Sequence, residues 1–379
     1  MEMLKGLQLS KIKLAGFKSY GVSQEIDIRD INILIGANGA GKSNFVSFLE
    51  MISFIATGGL RNFVAKNGFA RSILYHGTAK DEKIRGALFF RGSDTEDIYS
   101  FSIQASYGEG LYIDEETISY KAAGYDKPYQ KALGFSGEES GLTQAAEKDA
   151  SAKFILSLLQ KSTIFHFNDT TVNAKVRSSG YLFDNGYLRS DAGNLAAYLY
   201  RLKTTEQYKK YYDRIVRMVQ EVFPRFEDFV LEASFIEGAD EMIRLNWLEK
   251  GNAEVFGPNM LSDGTLRFIS LATLLLQPPE LIPGVIILDE PELGLHPYAI
   301  RVLSQMIHMA SSYARLIVAT QSSQLINEFD CEDILVTEYD YNQRSSVIHR
   351  LNEKELAIWL NDYSLGELWD KNILGGNPG

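Results

Sequence analysis

Eight residues restrict what this chain can fold into more than any others. Gly36-Ala37-Asn38-Gly39-Ala40-Gly41-Lys42-Ser43 fits G-x-x-x-x-G-K-[ST] at every fixed position. The apolar run Ile31-Asn32-Ile33-Leu34-Ile35 leads into it, and a helical pattern from Asn44 to Ile55 leaves it. Strand, glycine loop and helix in that order form the context of a phosphate-binding loop. Glycines let backbone N–H groups converge on phosphate oxygens, and the helix turns its positive end on the same anion. Lys42 would reach the β- and γ-phosphates, and Ser43 would offer its hydroxyl to Mg²⁺. The pattern predicts that the chain binds a nucleoside triphosphate.

The order of elements supports an α/β fold with a mainly parallel core sheet. Val285-Ile286-Ile287-Leu288 and Leu316-Ile317-Val318-Ala319 are continuous apolar runs, with a helix from Pro297 between them. A further strand is expected at Asp333 to Thr337, after a short helix near Ser323 to Phe329. Leu266 to Leu276 is apolar on nearly all sides and reads as a buried helix, ended by Pro278-Pro279. Residues 7 to 35 and the stretch from about Gly86 show period two. Tyr99, Phe101, Ile103 and Ala105 share a face there, Gly108-Glu109-Gly110 turns, and Glu116 to Lys121 returns. That pattern predicts an antiparallel β layer beside the core. Ala122 to Ala150, rich in Gly, Lys, Glu and Ser, reads as a mobile excursion, helical near its end. Helix from Ala152 to Gln160, strand from Thr163 to Phe167, and one long helix from Asn194 to Val222 follow, with strands near 229–235 and 242–247. The expected organisation is a single head: an N-terminal core of about 1–121, an inserted helical lobe of about 122–225 and a C-terminal core of about 226–379.

Composition narrows the class. The chain has 379 residues, 45% of them hydrophobic, which allows a large core and argues against disorder. Its longest apolar run, Phe268 to Leu276, is too short to span a membrane, and Met1-Glu2-Met3-Leu4-Lys5 lacks the pattern of a secretory signal. One cysteine, Cys331, permits no internal disulfide, which suits the cytoplasm. A formal charge of −11 opposes nonspecific binding to DNA, leaving any contact to a local basic patch.

Asp289 and Glu290 end an apolar strand, where ligands bind in open parallel sheets. Asp289 is the candidate Mg²⁺ ligand, and Glu290 is placed to accept a proton from the water attacking the γ-phosphate. Leu261-Ser262-Asp263-Gly264-Thr265 lies 27 residues before Asp289, counted from Ser262, and opens a helix with a hydroxyl and a dipole suited to a phosphate. Gln321 follows a buried strand, so it is expected near the γ-phosphate, hydrogen-bonding without taking part in proton transfer.

Together these segments resemble the ABC-type ATPase heads of the RecF, SMC and OLD families, and in particular compact ATPases of that group, several of which belong to anti-phage systems. The resemblance is carried by Gly16-Phe17-Lys18-Ser19-Tyr20, the Gly36-to-Ser43 loop with Asn44, Leu261 to Thr265, Leu288 to Pro297, Ala319 to Ser323 and Tyr363 to Trp369. It implies ATP and Mg²⁺ as ligands, and two copies, or a higher even-numbered oligomer, joined head to tail. ATP would lie between the phosphate loop of one copy and Ser262 and Gly264 of the other, with Pro291 to Leu295 crossing the interface. The chain departs from the pattern at Asp263, where a small residue is usual, and at Gln321, where a histidine is common. Gln104 is the candidate for a Q-loop. The 218 residues between Ser43 and Ser262 hold no coiled-coil arms, which argues against a bridging machine, and exceed the usual spacing in transporter subunits.

Weaker signals have two readings each. Lys18 faces phosphates or DNA, or is a solvated turn lysine. Arg201, Lys203, Lys209, Lys210, Arg214 and Arg217, mixed with tyrosines, form a DNA-facing surface or a charged outer face over a tyrosine-lined core. His166, Asn168 and Asp169 are metal ligands or loop residues, and His296 positions the 291–295 loop or caps a helix. Two functions remain open. One is a cytoplasmic ATPase switch serving an effector such as a nuclease in anti-phage defence. The other is a RecF-like repair ATPase acting directly on DNA.

Overall fold

A computed structural model describes residues 7–77, 82–106, 109–121, 128–134, 137–234 and 241–375. The core sheet has six strands in the order Ser345–Arg350, Ile334–Asp340, Ile31–Ile35, Arg315–Ala319, Val285–Asp289 and Ser162–Phe165. All neighbours are parallel except the pair at the Ser345–Arg350 edge. Buried on both faces, these strands carry the continuous apolar runs visible in the sequence.

The expected antiparallel layer is a second six-stranded sheet. Its order is Gln24–Asp27, Gln8–Ala15, Lys83–Arg91, Glu96–Ala105, Leu111–Lys121 and Tyr129–Ala132. Between the two sheets lies helix Lys42–Ala56, buried on nearly every side through Phe45, Phe48, Leu49, Met51, Ile52 and Ile55. One core fills this space: alternate strand residues Leu34, Ile287 and Ile317 meet the helix, which meets Ile12, Leu88 and Phe101 beyond it. The opposite set, Ile33, Ile286, Leu288 and Val318, faces a second core built with helices Asp263–Leu276 and Pro297–Ser311. The phosphate loop is therefore clamped at its helix end by both sheets.

Three expectations change. The stretch from Ala122 to Ala150 is not an excursion where it is described. Tyr129–Ala132 pairs with Leu111–Lys121, and Leu142 is fully buried. The buried Glu116 carboxyl gathers the Ser140 hydroxyl at 2.5 Å and the Gly141 N–H at 2.8 Å, a polar anchor that composition cannot show. Residues 122–127 and 135–136, like Gly108 and Met1 to Lys5, lie outside the described residues. The long helix divides into Leu195–Thr204 and Lys209–Val222, because Thr205 takes an extended conformation (φ −88°, ψ 114°). The strands expected near 229–235 and 242–247 are shorter pieces, Phe226–Val230, Ala233–Ser234, Met242–Ile243 and Asn246–Glu249, in two small antiparallel sheets; Phe235 lies outside the described residues. Within the expected lobe of 122–225, Tyr129–Ala132 and Ser162–Phe165 are members of the two large sheets.

Asp97 marks a cost in the antiparallel layer. It is 2% exposed, and its Oδ2 has no hydrogen-bond partner among the described residues. Burial pushes its carboxyl up to about 6 from the ordinary 3.8. A raised folded pKa means that the neutral form is favoured, so this group's stabilisation is full below about 4 and lost as pH rises through about 6. Asp97→Asn should be more stable than the parent at pH 7, on the order of 1–2 kcal/mol, with the gap closing by pH 4. Urea denaturation across that range checks both the sign and the window.

Candidate functional site

The parallel register brings the candidate residues to one edge. Ile31–Ile35, Arg315–Ala319 and Val285–Asp289 are adjacent and run the same way, so Gly36, Gln321 and Glu290 all emerge at their carboxyl ends. Asp289 lies opposite Ala319 in that register, and the Glu290 N–H donates to the Ala319 carbonyl at 2.8 Å.

In the phosphate loop, Gly41 has φ 123°, and a Cβ there would lie 2.5 Å from the Ser346 hydroxyl oxygen. The N–H groups of Gly39, Gly41, Lys42 and Ser43 donate to no backbone acceptor among the described residues. Four donors without a backbone acceptor at the start of helix Lys42–Ala56 suit an anion, so the residues present fit a nucleotide phosphate. Lys42 is buried, its ammonium donating to the Gly36 carbonyl and, at 3.2 Å, to the Ala37 carbonyl. Burial lowers its pKa below the ordinary 10.5, opposed by Glu290 and Asp289. Ala40 is buried, whereas Asn38 and Ser43 face solvent. Asn44 donates to the Ser19 hydroxyl at 2.8 Å, and the Tyr20 hydroxyl donates to the Gly41 carbonyl at 3.1 Å. The Gly16-to-Tyr20 turn thus props the loop from behind.

Asp289 is half-buried, and burial followed by the Glu290 charge raises its pKa, against the pull of His166 and Lys42. Glu290 adopts φ 46°, a left-handed conformation costly for a residue with a Cβ. Its Oε1 accepts a hydrogen bond of 2.9 Å from Gln321 Nε2. Gln321 therefore orients the candidate base directly. Nearby residues of the two segments are linked as well: Thr320 donates its hydroxyl to Glu292, which is 8% exposed with Oε2 unpartnered among the described residues. Burial raises the Glu292 pKa.

Ser262 and Gly264 open helix Asp263–Leu276 beside the 290–295 loop. Ser262 caps helix Asp263–Leu276, accepting from Thr265 N–H at 3.1 Å. Gly264 packs so tightly on the 290–295 loop that a Cβ would lie 2.2 Å from the Gly294 carbonyl oxygen. The unusual Asp263 has a partner that sequence reasoning missed. Arg177, 6% exposed, donates to Asp263 at 2.7 Å and to the carbonyls of Thr170, Pro258 and Leu261. Eighty-six positions separate the pair, and no local pattern announces it.

Other candidates resolve plainly. Lys18 is neither free nor at the loop: it donates to the Ser47 hydroxyl at 2.7 Å and to Asn67 at 3.4 Å. Gln104 donates to the Tyr112 hydroxyl across the antiparallel sheet, far in sequence and sheet from the carboxyl edge. His296 caps helix Pro297–Ser311 through Nδ1. Asp169 accepts from Thr171, and among the described residues no three His, Cys, Asp or Glu side chains gather as a metal group. His166 instead lies one position beyond Phe165, which is opposite Leu288, and so beside Asp289. No described helix is long and apolar enough to cross a membrane.

Residues 31–327 match the family described as "AAA domain, putative AbiEii toxin, Type IV TA system". The chain belongs to this AAA-domain family. Solved structures share the fold. The SMC head bound to the C-winged helix domain of ScpA is 16% identical, covering 93% of this chain and 99% of that one, with TM-score 0.58. The SMC head with an extended coiled coil, bound to the C-terminal domain of ScpA and derived from Pyrococcus furiosus, is 14% identical, covering 94% and 99%, with TM-score 0.51. No curated protein matches. The fold is that of an ABC-type, SMC-like head, and the family makes the chain an ATPase of the AAA type.

The contact between Gly264 and Gly294 sets a direct test. Gly264→Ala must push the 290–295 loop away, costing about 1–3 kcal/mol. Thermal denaturation should show the loss, whereas Gly251→Ala, where nothing lies within 4 Å but φ is +77°, carries backbone strain alone and should cost about 1 kcal/mol.

Proposed function

We propose that this AAA-family chain is a cytoplasmic ATP-driven switch that pairs with a second copy around ATP and governs an effector, a nuclease, in anti-phage defence. The observation that carries the switch is the Gln321–Glu290 hydrogen bond of 2.9 Å at strand ends adjoining the Lys42 loop. Gly36 to Asn44 hold the phosphates, with Lys42 as the central cation. Ser43 and Asp289 would hold Mg²⁺, which would supply positive charge beside the phosphates when bound. Glu290 takes the proton of the attacking water, and Gln321 holds that carboxylate in place while remaining free of proton transfer.

Ser262 and Gly264 serve the partner copy's nucleotide. Exposed apolar side chains beside them, Met260 at 68% and Leu293 at 44%, favour a covered face there. The family's description as a putative toxin of a Type IV system agrees with a defensive role. Direct DNA repair is the alternative, and salt-insensitive, tight binding to duplex DNA would favour it.

Separate variants should divide the labour. Lys42→Ala should abolish ATP binding. Glu290→Gln should bind ATP and hold it, with turnover reduced about 10²-fold or more. Gln321→Ala should bind ATP yet lose turnover, because Glu290 is no longer oriented. Equal loss of affinity in all three, by equilibrium titration, overturns these assignments.

Ser262→Arg should keep monomer affinity for ATP and lose ATP-dependent dimers. Light scattering that finds normal dimers in this variant defeats the shared site.

A further inference from the structure

The basic run of the middle region divides when its partners are traced. Arg201 is spent on the carbonyls of Asn185 and Gly186, Lys203 on Asp228 at 2.9 Å, and Lys209 on Asp213 at 2.9 Å. Lys210, Arg214 and Arg217 remain. They recur at i, i+4 and i+7 on helix Lys209–Val222, whose Tyr212, Ile215 and Val219 point into the core. Among the described residues none of the three forms an ion pair, Arg217 donating only to the Asp213 backbone carbonyl at 3.2 Å. Three like charges on one face repel one another, and among the described residues no carboxylate lies within ion-pair distance of them.

All three line one cavity of about 240 Å³, together with Tyr211 and Tyr313. Lys210 Nζ lies 5.0 Å and Arg214 Cζ 6.0 Å from the Tyr211 ring centre, while Tyr313 is 55% exposed. Leu275, Leu276 and Ile282 also line the cavity. Cations beside partly exposed aromatic rings suit a ligand that has both a phosphate and a flat heterocycle. An acidic peptide would use the cations and leave the rings idle. A duplex, whose bases are stacked inside, would do the same.

The cavity is distinct from the phosphate loop. Gln277 precedes strand Val285–Asp289, and Tyr313 precedes strand Arg315–Ala319, so it opens at the amino ends of strands whose carboxyl ends carry Glu290 and Gln321. We propose that it is a second nucleotide site, taking one nucleoside phosphate, either free or as a unit of single-stranded nucleic acid. The proposal does not depend on how the phosphate loop works.

The test uses full-length Lys42→Ala protein, in which the loop is silenced, at low salt. Fluorescent mant-AMP represents the free source and fluorescein-labelled ten-residue oligothymidylate the strand. At least one probe should bind, weaken steeply with salt, and lose tenfold or more in affinity with Arg214→Glu and severalfold with Tyr313→Ala. Tighter binding of mant-AMP assigns free nucleotide, and tighter binding of the oligomer assigns the strand. Both substituted side chains lie outside the core, and Tyr313→Ala keeps every cation, so it reports the ring contact separately from charge. The proposal is overturned if neither probe binds, if both variants bind as the parent does, or if duplex DNA or polyglutamate binds as tightly as the preferred probe.

Discussion

The arrangement depends on the parallel register of three short strands. Parallel neighbours end together, so the residues after Ile35, Ala319 and Asp289 are delivered to the same edge although Ile35 and Asp289 are 254 positions apart. Antiparallel pairing at either position would send one of those ends to the opposite side. Burial on both faces enforces the register, since a slip of one residue would exchange the side chains that face helix Lys42–Ala56 with those that face helix Asp263–Leu276. The placement of these groups at the edge is thus fixed by the two cores on either face of the sheet.

A second theme is the way polar groups, several of them buried, tie distant segments. Arg177 satisfies three carbonyls and Asp263, and so holds the start of the Ser262 helix to a loop from the middle of the chain. Glu292 joins Thr320, while Gln321 joins Glu290, giving two bridges between the same pair of strand ends. Gly264 rests on Gly294 in the loop that contains Glu292. A displacement at Ser262 or Gly264 therefore has a packed route through 290–295 to the candidate base. Such groups are costly to bury alone and become favourable when every partner is in place, which makes their geometry well defined.

Much of this was legible in the amino-acid sequence. The phosphate loop, the Asp289-Glu290 strand end and the Ser262 cap declare themselves locally, because glycine conformations, continuous apolar strands and helix caps are short-range requirements. The two sheets followed from the contrast between apolar runs and period-two alternation. Less legible were the strand at Tyr129–Ala132 and the division at Thr205, where tertiary contacts outweigh weak local preference.

Sequence by itself determined the α/β class, the phosphate loop and the identity of the chemical groups at the candidate site, since each rests on residues within a few positions of one another. Tertiary structure alone decided which groups meet. It put Gln321 on Glu290, Arg177 on Asp263, Lys18 on Ser47 rather than at the loop, and left Lys210, Arg214 and Arg217 around a shared cavity. Those pairings depend on side-chain desolvation and packing between remote segments, which hydrophobic periodicity does not encode.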